Sequence, residues 1–296
     1  MKNLGRLITA MVTPFNEDGI VNYEQAKRLA LALLNSGSDG LLVAGTTGES
    51  PTLLREEELE LFTEVKSAIG KQGSIIAGTG SNSTIEAIEA TRAAEKVGVD
   101  ACVLVVPYYN KPTQEGLYQH FKAIADSTSL PCILYNVPSR TITSLSAETV
   151  IKLSRIDNII GVKEASGDLG QIARIVNDAD DDFIVWSGND GDTLPILALG
   201  GYGVISVASH LVGKQIKEMI NSVASGKTNK AAGIHRHLLS LFDTLFAISN
   251  PVPLKYALNH LGFKVGSPRP PLYEPAEKIA AQIREVLKDY KIDLPI

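Results

Sequence analysis

Eight short apolar runs recur along the chain with room for a helix after each, and this alternation restricts its fold more than any other feature. The runs are LITAMV (7–12), GLLVAG (40–45), SIIAG (74–78), ACVLVV (101–106), CILYN (132–136), IIGVKE (159–164), FIVWSG (183–188) and GVISV (203–207). Most are continuous and rich in β-branched residues, as parallel strands covered on both faces require. Between them, stretches such as YEQAKRLALALLNS, LREEELELFTEVKSAI, TIEAIEATRAAEKVG and QEGLYQHFKAIADS carry apolar residues at three- and four-residue spacing. Ser83 or Thr84 can cap the third of these, with Glu86 set to complete a capping box, and Gly70 and Gly98 follow helix ends. Strict alternation implies right-handed crossovers and a parallel sheet, and eight such units close into a (β/α)8 barrel of the α/β class. An open doubly wound sheet is the main competitor, but no G-x-G-x-x-G follows the first run.

Beyond about residue 225 the strand pattern stops. KTNKAAGIHRHLLSLFDTLFAI, NPVPLKYALNHLGF and EPAEKIAAQIREVLKDY read as helices, with the proline-rich GSPRPPLYEP as a rigid connector. The expected organisation is a barrel over 1–225 followed by a helical region over 226–296. The formal charge is -5 and no run of Lys and Arg occurs, which argues against a nucleic-acid partner. The N-terminus, MKNLGRLITAMVTPF, lacks the long apolar core of a signal peptide, and Thr13-Pro14 interrupts it where a cleavage site would lie. No window approaches the ~18 apolar residues of a membrane span, so a soluble, cytoplasmic protein is expected. Cys102 and Cys132 both sit in apolar runs and read as reduced core thiols.

In a barrel of this kind, chemistry belongs at the carboxyl ends of the strands. There the sequence places Thr46 and Thr47, Tyr108 and Tyr109, Tyr135 and Arg140, Lys163, and Gly188 followed by Asn189 and Asp190. Lys163 is the most informative, because it follows the apolar run NIIGV and so leads from a buried strand toward the mouth. Desolvation disfavours an ammonium and favours the neutral amine that attacks carbonyls, so a buried lysine there suits Schiff-base formation. An ion pair with a carboxylate is the other reading. Glu164 is a poor partner for it, since successive strand residues face opposite ways. Position alone leaves both readings open. The GTTGES loop can offer backbone N–H groups and hydroxyls to an anion, or be a plain turn. Tyr135 can relay protons beside the amine, or simply pack; Arg140 can grip a carboxylate, or be a surface charge. The five histidines form no HExxH or Cys/His cluster, so no metal site is expected.

Taken in order, GTTGESPTL (45–53), PYYNKPTQEGLYQHF (107–121), YNVPSRT (135–141), GVKEASGD (161–168) and GVISV (203–207) resemble the dihydrodipicolinate synthase and N-acetylneuraminate lyase superfamily of class I aldolases, over essentially the whole chain. Paired Thr46-Thr47, the Tyr108-Tyr109 pair and Arg140 look like the dihydrodipicolinate synthase branch. The lyases usually show Ser-Thr in the loop and lack the arginine. Ile142 departs from the pattern, since many relatives have Gly there. The resemblance implies a cofactor-free lyase of lysine and diaminopimelate biosynthesis, in which Lys163 forms an imine with pyruvate and the derived enamine attacks L-aspartate 4-semialdehyde. It implies a proton relay of Tyr135, Thr46 and Tyr109, with Tyr109 reaching into a neighbouring subunit's site. Thr47 would hold the pyruvate carboxylate, Arg140 the semialdehyde's carboxylate, and Gly188 and Ile205 would line the pocket. It also implies a homotetramer, and L-lysine as an allosteric effector at Ser50, Pro51, Arg55, Glu58, Asn82, Glu86 and Tyr108. Arg55 and Glu58 replace histidines found in some inhibited relatives. The alternatives are a pyruvate-dependent aldolase for a sugar acid or sialic acid, against which Arg140 argues, and a keto-acid sensor or structural barrel without catalysis.

Overall fold

The computed structural model describes residues 4–295. Its core is a closed ring of eight parallel strands in chain order: β1 (Leu7–Ala10), β2 (Gly40–Val43), β3 (Ser74–Gly78), β4 (Ala101–Val105), β5 (Cys132–Asn136), β6 (Ile159–Glu164), β7 (Ile184–Ser187) and β8 (Gly203–Ser206), with β8 pairing back to β1. The (β/α)8 barrel expected from the alternation is therefore the observed fold. Several strands end a residue or two before their apolar runs do. Met11, Ala44 and Val106 stay buried in the turns at the rim, and the Met11 and Val106 N–H groups still donate to Leu42 O and Tyr135 O on the next strand.

Side chains alternate between two destinations. Ile8, Leu42, Ile76, Val103, Ile133, Trp186 and Ile205 fill the barrel interior. Leu7, Leu41, Val43, Ile75 and Val204 face the surrounding helices on one side, and Cys102, Leu104, Leu134, Val162 and Val185 do so on the other. The register slips once, between Cys132↔Ile159 and Ile133↔Gly161, so β6 carries one extra residue there. Gly161 is needed at this point: a Cβ would lie 2.3 Å from Ile184 O and 2.8 Å from the Trp186 ring. Cys102 and Cys132 are register partners with free, buried thiols 3.5 Å apart.

The helix caps differ in one respect from the sequence pattern. Ser83 does cap Thr84–Val97, accepting from Glu86 N. The Glu86 carboxylate, however, takes the Ser81 hydroxyl, and Ser83 N donates to Ser81 Oγ. Ser81 thus satisfies both partners of the expected capping box. A backbone reach of that type occurs instead at Arg55–Ile69, where Glu57 accepts from Leu54 N at 2.9 Å.

After β8 come the helices Ser209–Ala224, Thr228–Leu245, Val252–His260 and Glu277–Leu287. Leu238, Leu241, Leu245, Leu254, Leu258 and Ile283 join one apolar cluster with Leu7, Leu41 and Leu29. No helix among the described residues is long and apolar enough to cross a membrane.

A buried ion pair crosses this apolar layer. Lys255 is fully buried, and its Nζ lies 2.6 Å from Glu49 Oε1, whose carboxylate is almost as enclosed. Burial pushes the Lys255 ammonium down from its usual range, while the Glu49 charge pulls it back up. Removing one member strands the other charge in an apolar layer, whereas replacing both removes the whole desolvation cost. Lys255→Met should therefore lower the unfolding free energy by about 3 kcal/mol or more, and adding Glu49→Met should restore most of it. Denaturant titration of the single and double variants checks this; additive losses would contradict it.

His210 is held neutral. Its Nε2 accepts from Val12 N at 3.2 Å, and its Nδ1 lies 2.9 Å from Val207 O, so Nδ1 carries the proton. Burial pushes its pKa down from 6.5 to about 4, with the Val207 bond acting the other way. Between those values the unfolded chain binds the proton and the folded one does not. The contribution is therefore complete above about 6.5 and is lost as pH falls toward about 4. The thermal midpoint of His210→Gln should fall less than that of the parent over that interval, as scanning calorimetry at several pH values would show.

Candidate active site

Parallel closure brings every strand's carboxyl end to one rim, and the predicted residues are distributed around it. On β6, Lys163 pairs in register with Tyr135 of β5 and Trp186 of β7, both inward-facing, so its side chain enters the barrel. It is 5% exposed, and its Nζ stands 4.2 Å from the Tyr135 ring centroid. Among the described residues Lys163 forms no ion pair. Glu164 faces the other way, accepting from Asn136 Nδ2 at 3.2 and 3.1 Å and from Ser166 N at 2.8 Å. Burial raises its pKa against the pull of these bonds. The ion-paired reading of Lys163 is thereby removed, and an amine in an apolar enclosure beside a phenol remains. That is an arrangement suited to carbonyl attack.

Gly188 follows β7 where the chain crosses the end of β6. Its N–H donates to Glu164 O at 2.7 Å, and a Cβ would lie 2.8 Å from that of Ala165 and 3.1 Å from Glu164 O. Only Gly fits the approach. Ile205 is an inner barrel residue of β8, buried in the same cluster as Tyr135. Asp190, which the strand-end argument leaves without a role, is buried between β7 and β8. It accepts from the Ser206 hydroxyl and from Val207 N and Ala208 N at 3.0 and 2.9 Å. Burial raises its pKa, these bonds lower it, and the charge of Lys163 lowers it further, which places a carboxylate within electrostatic reach of the amine. Its signal in sequence was position alone, one carboxylate between two strand ends.

The loop after β2 carries Thr46 and Thr47. Thr47 is buried, and its Oγ1 accepts from Asn250 Nδ2 at 2.9 Å. Gly48 O accepts from the Thr13 hydroxyl at 2.6 Å. Glu49 adopts a left-handed φ of 58° and is held by Lys255 on one oxygen and by Arg269 N on the other, at 2.8 Å. Arg269 also grips Glu57 with two guanidinium nitrogens, at 2.7 and 2.6 Å. The proline-rich segment, expected only as a connector, thus clamps this loop. Lys255 could have been suspected from a lysine within the apolar VPLKYAL; nothing in the sequence singles out Asn250 or Arg269.

Thr46 opens onto a cavity of about 380 Å³ that also takes in Arg140, Tyr108, Ser50, Pro51, Arg55, Glu58 and Glu86. Six of the seven expected effector residues thus share one hollow with Thr46 and Arg140. Asn82 lies at its edge, donating to Tyr108 O at 3.2 Å. Glu58 is buried and bridged to Arg55 at 2.6 Å. Burial pushes its pKa from 4.5 to about 7, with Arg55 opposing. Arg140 stands exposed on the single turn Pro138–Thr141. Ile142 closes that turn with φ 63°, a left-handed position costly for a β-branched residue and easy for Gly. Tyr109 is not gathered with the others: it is 89% exposed, with φ 73°. Among the described residues, no group of three or more His, Cys, Asp or Glu could hold a metal ion.

Known proteins share this fold and much of this sequence. The chain is 70% identical to 4-hydroxy-tetrahydrodipicolinate synthase of Dehalococcoides mccartyi over all 296 residues and the whole of that protein. It is 55% identical to the Moorella thermoacetica protein of the same name over 285 residues, 95% of this chain and 98% of that one. The crystal structure of dihydrodipicolinate synthase from Bacillus anthracis superposes with a TM-score of 0.96 at 46% identity, covering 98% of this chain and 100% of that one. The lysine-bound synthase of Cyanidioschyzon merolae gives 0.95 at 49%, covering 97% and 98%. The model of the dihydrodipicolinate synthetase family matches residues 3–290, and the chain belongs to that family.

Proposed function

We propose that the protein condenses pyruvate with L-aspartate 4-semialdehyde to form 4-hydroxy-tetrahydrodipicolinate, in the cytoplasm and as a homotetramer. The observation that carries the mechanism is Lys163, buried inside the barrel with Nζ 4.2 Å from the Tyr135 ring centroid and its neighbour Glu164 turned away. The Lys163 amine adds to the pyruvate carbonyl, and loss of water gives the imine. The imine nitrogen draws electrons from the adjacent methyl group, which releases a proton to leave an enamine. The enamine carbon bonds to the aldehyde carbon of the second substrate, whose carbonyl oxygen takes up a proton. That substrate's own amine then attacks the imine carbon, closes the ring and expels Lys163. The lysine supplies the electron sink, and no cofactor enters the cycle.

Tyr135, Thr46 and Tyr109 move the protons of these steps, Tyr109 acting across a subunit boundary. Its 89% exposure and left-handed backbone support that reading, since a bulky ring held outward in a strained conformation needs a partner. Thr47 and the loop amides hold the pyruvate carboxylate, Gly188 and Ile205 shape the pocket, and Arg140 takes the semialdehyde's carboxylate. L-Lysine is the effector, bound at Ser50, Pro51, Arg55, Glu58, Asn82, Glu86 and Tyr108. Two carboxylates in one cavity with Thr46 and Arg140 support a cationic ligand there.

Borohydride reduction in the presence of pyruvate should add a pyruvate-derived mass to the parent protein and none to Lys163→Ala. An intact-mass spectrum of a folded parent without the adduct would remove the mechanism. For the effector, activity should fall on titration with L-lysine, and more steeply as pH rises through about 7, where Glu58 ionises. Glu58→Gln should weaken inhibition about tenfold by loss of a charge-assisted bond. A flat titration into the millimolar range would sink the effector assignment.

A further inference from the structure

The Thr47 hydroxyl can bind a carboxylate only if its proton is free to point at it. A hydroxyl has one proton and two lone pairs, so what it accepts decides where the proton goes. Here one lone pair is occupied by the Asn250 amide, at 2.9 Å, with both residues buried. Among the described residues the Thr47 hydroxyl donates to nothing. Asn250 lies 203 residues further along the chain, just before the helix Val252–His260, while Thr47 sits in the loop after β2. Among the described residues Asn250 Oδ1 is buried without a partner, and the bond the amide makes is the one its nitrogen donates to Thr47.

We infer that Asn250 is a positioning residue for the pyruvate carboxylate: its amide donates to Thr47 Oγ1, and the threonine's single proton is left for the substrate. This deepens the reading of Thr47 given above and rests on it. The Lys255–Glu49–Arg269 clamp fixes the same loop two residues further on, so the backbone is held independently of Asn250. What Asn250 adds is the direction of one proton. A donor to an ionised group is roughly twice as strong as a neutral one. Its loss should therefore fall on pyruvate and spare the second substrate.

Asn250→Asp tests this with almost no change of shape. A carboxylate at 250 accepts where the amide donated, turns the Thr47 proton toward itself and places a like charge near the substrate's. The expected result is a rise of about tenfold or more in KM for pyruvate, with kcat and KM for the semialdehyde changed less than about threefold. Adding Thr47→Val should cause little further loss, because the two residues act as one unit. If the buried charge unfolds the protein, Asn250→Ala is read in the same way, with a smaller shift in the same direction. An unchanged pyruvate KM overturns the inference, as do equal losses for both substrates or losses that add fully with Thr47→Val. In that event a pyruvate adduct trapped on the parent protein leaves the Schiff-base reading standing. A parent that traps no pyruvate overturns both.

Discussion

The extra residue that β6 carries opposite Cys132 and Ile133 decides which way Lys163 faces. Parallel partners point to the same side of a sheet, and Tyr135 points inward. With the slip, Lys163 is the partner of Tyr135; without it, Val162 would be, and Lys163 would take the place of Glu164 among the helices. A one-residue change of register exchanges the two faces of a strand. The enclosure of the amine, its place beside a phenol and the outward turn of Glu164 all follow from that irregularity. Gly161 tolerates it because the Trp186 ring occupies the space a side chain would need.

Around the rim the buried carboxylates Glu49, Glu164 and Asp190 are satisfied in different ways. Glu49 has a buried ammonium and a backbone N–H, Glu164 an amide and a backbone N–H, and Asp190 a hydroxyl and two backbone N–H groups. Each bonded set ties a loop to a neighbouring strand end or helix. The mouth is consequently built from fixed dipoles and charges that need not reorganise when charge moves in the reaction. A buried carboxylate left unpaired would be costly, so these ties constrain loop geometry far more tightly than apolar contact alone.

Much of this was legible in the chain. Eight apolar runs and the helical spacing between them carry the barrel, and strand-end logic leads to Lys163, Tyr135 and the threonine pair. Only half of the capping box at Ser83 and Glu86 forms, because Ser81, two residues earlier, competes for the Glu86 carboxylate and the Ser83 N–H; local patterns cannot rank such competitors. The roles of Asn250 and Arg269, and the partner of Lys255, are hidden for a different reason. Their partners lie more than two hundred residues away in sequence, and spacing holds no record of contacts that only the closed fold creates. IIGVKE puts Lys163 and Glu164 on opposite faces, but the slip that turns Lys163 inward is not visible in it.

The clamp on the loop after β2 also has a bearing on how the molecule is made. With Thr47 and Asn250 lying 203 residues apart, a ribosome delivers residues 45–50 long before residues 250–269. Until the latter emerge, Glu49 lacks its ammonium, Thr47 lacks its amide donor, and the loop has only the Thr13 bond to Gly48 from this set. A nascent chain with all eight strands made would already contain Lys163, the nucleophile proposed above, but not the fastened loop that carries Thr47. Vectorial synthesis therefore places the fastening of this loop after the strands of the barrel, Lys163 among them, have been made.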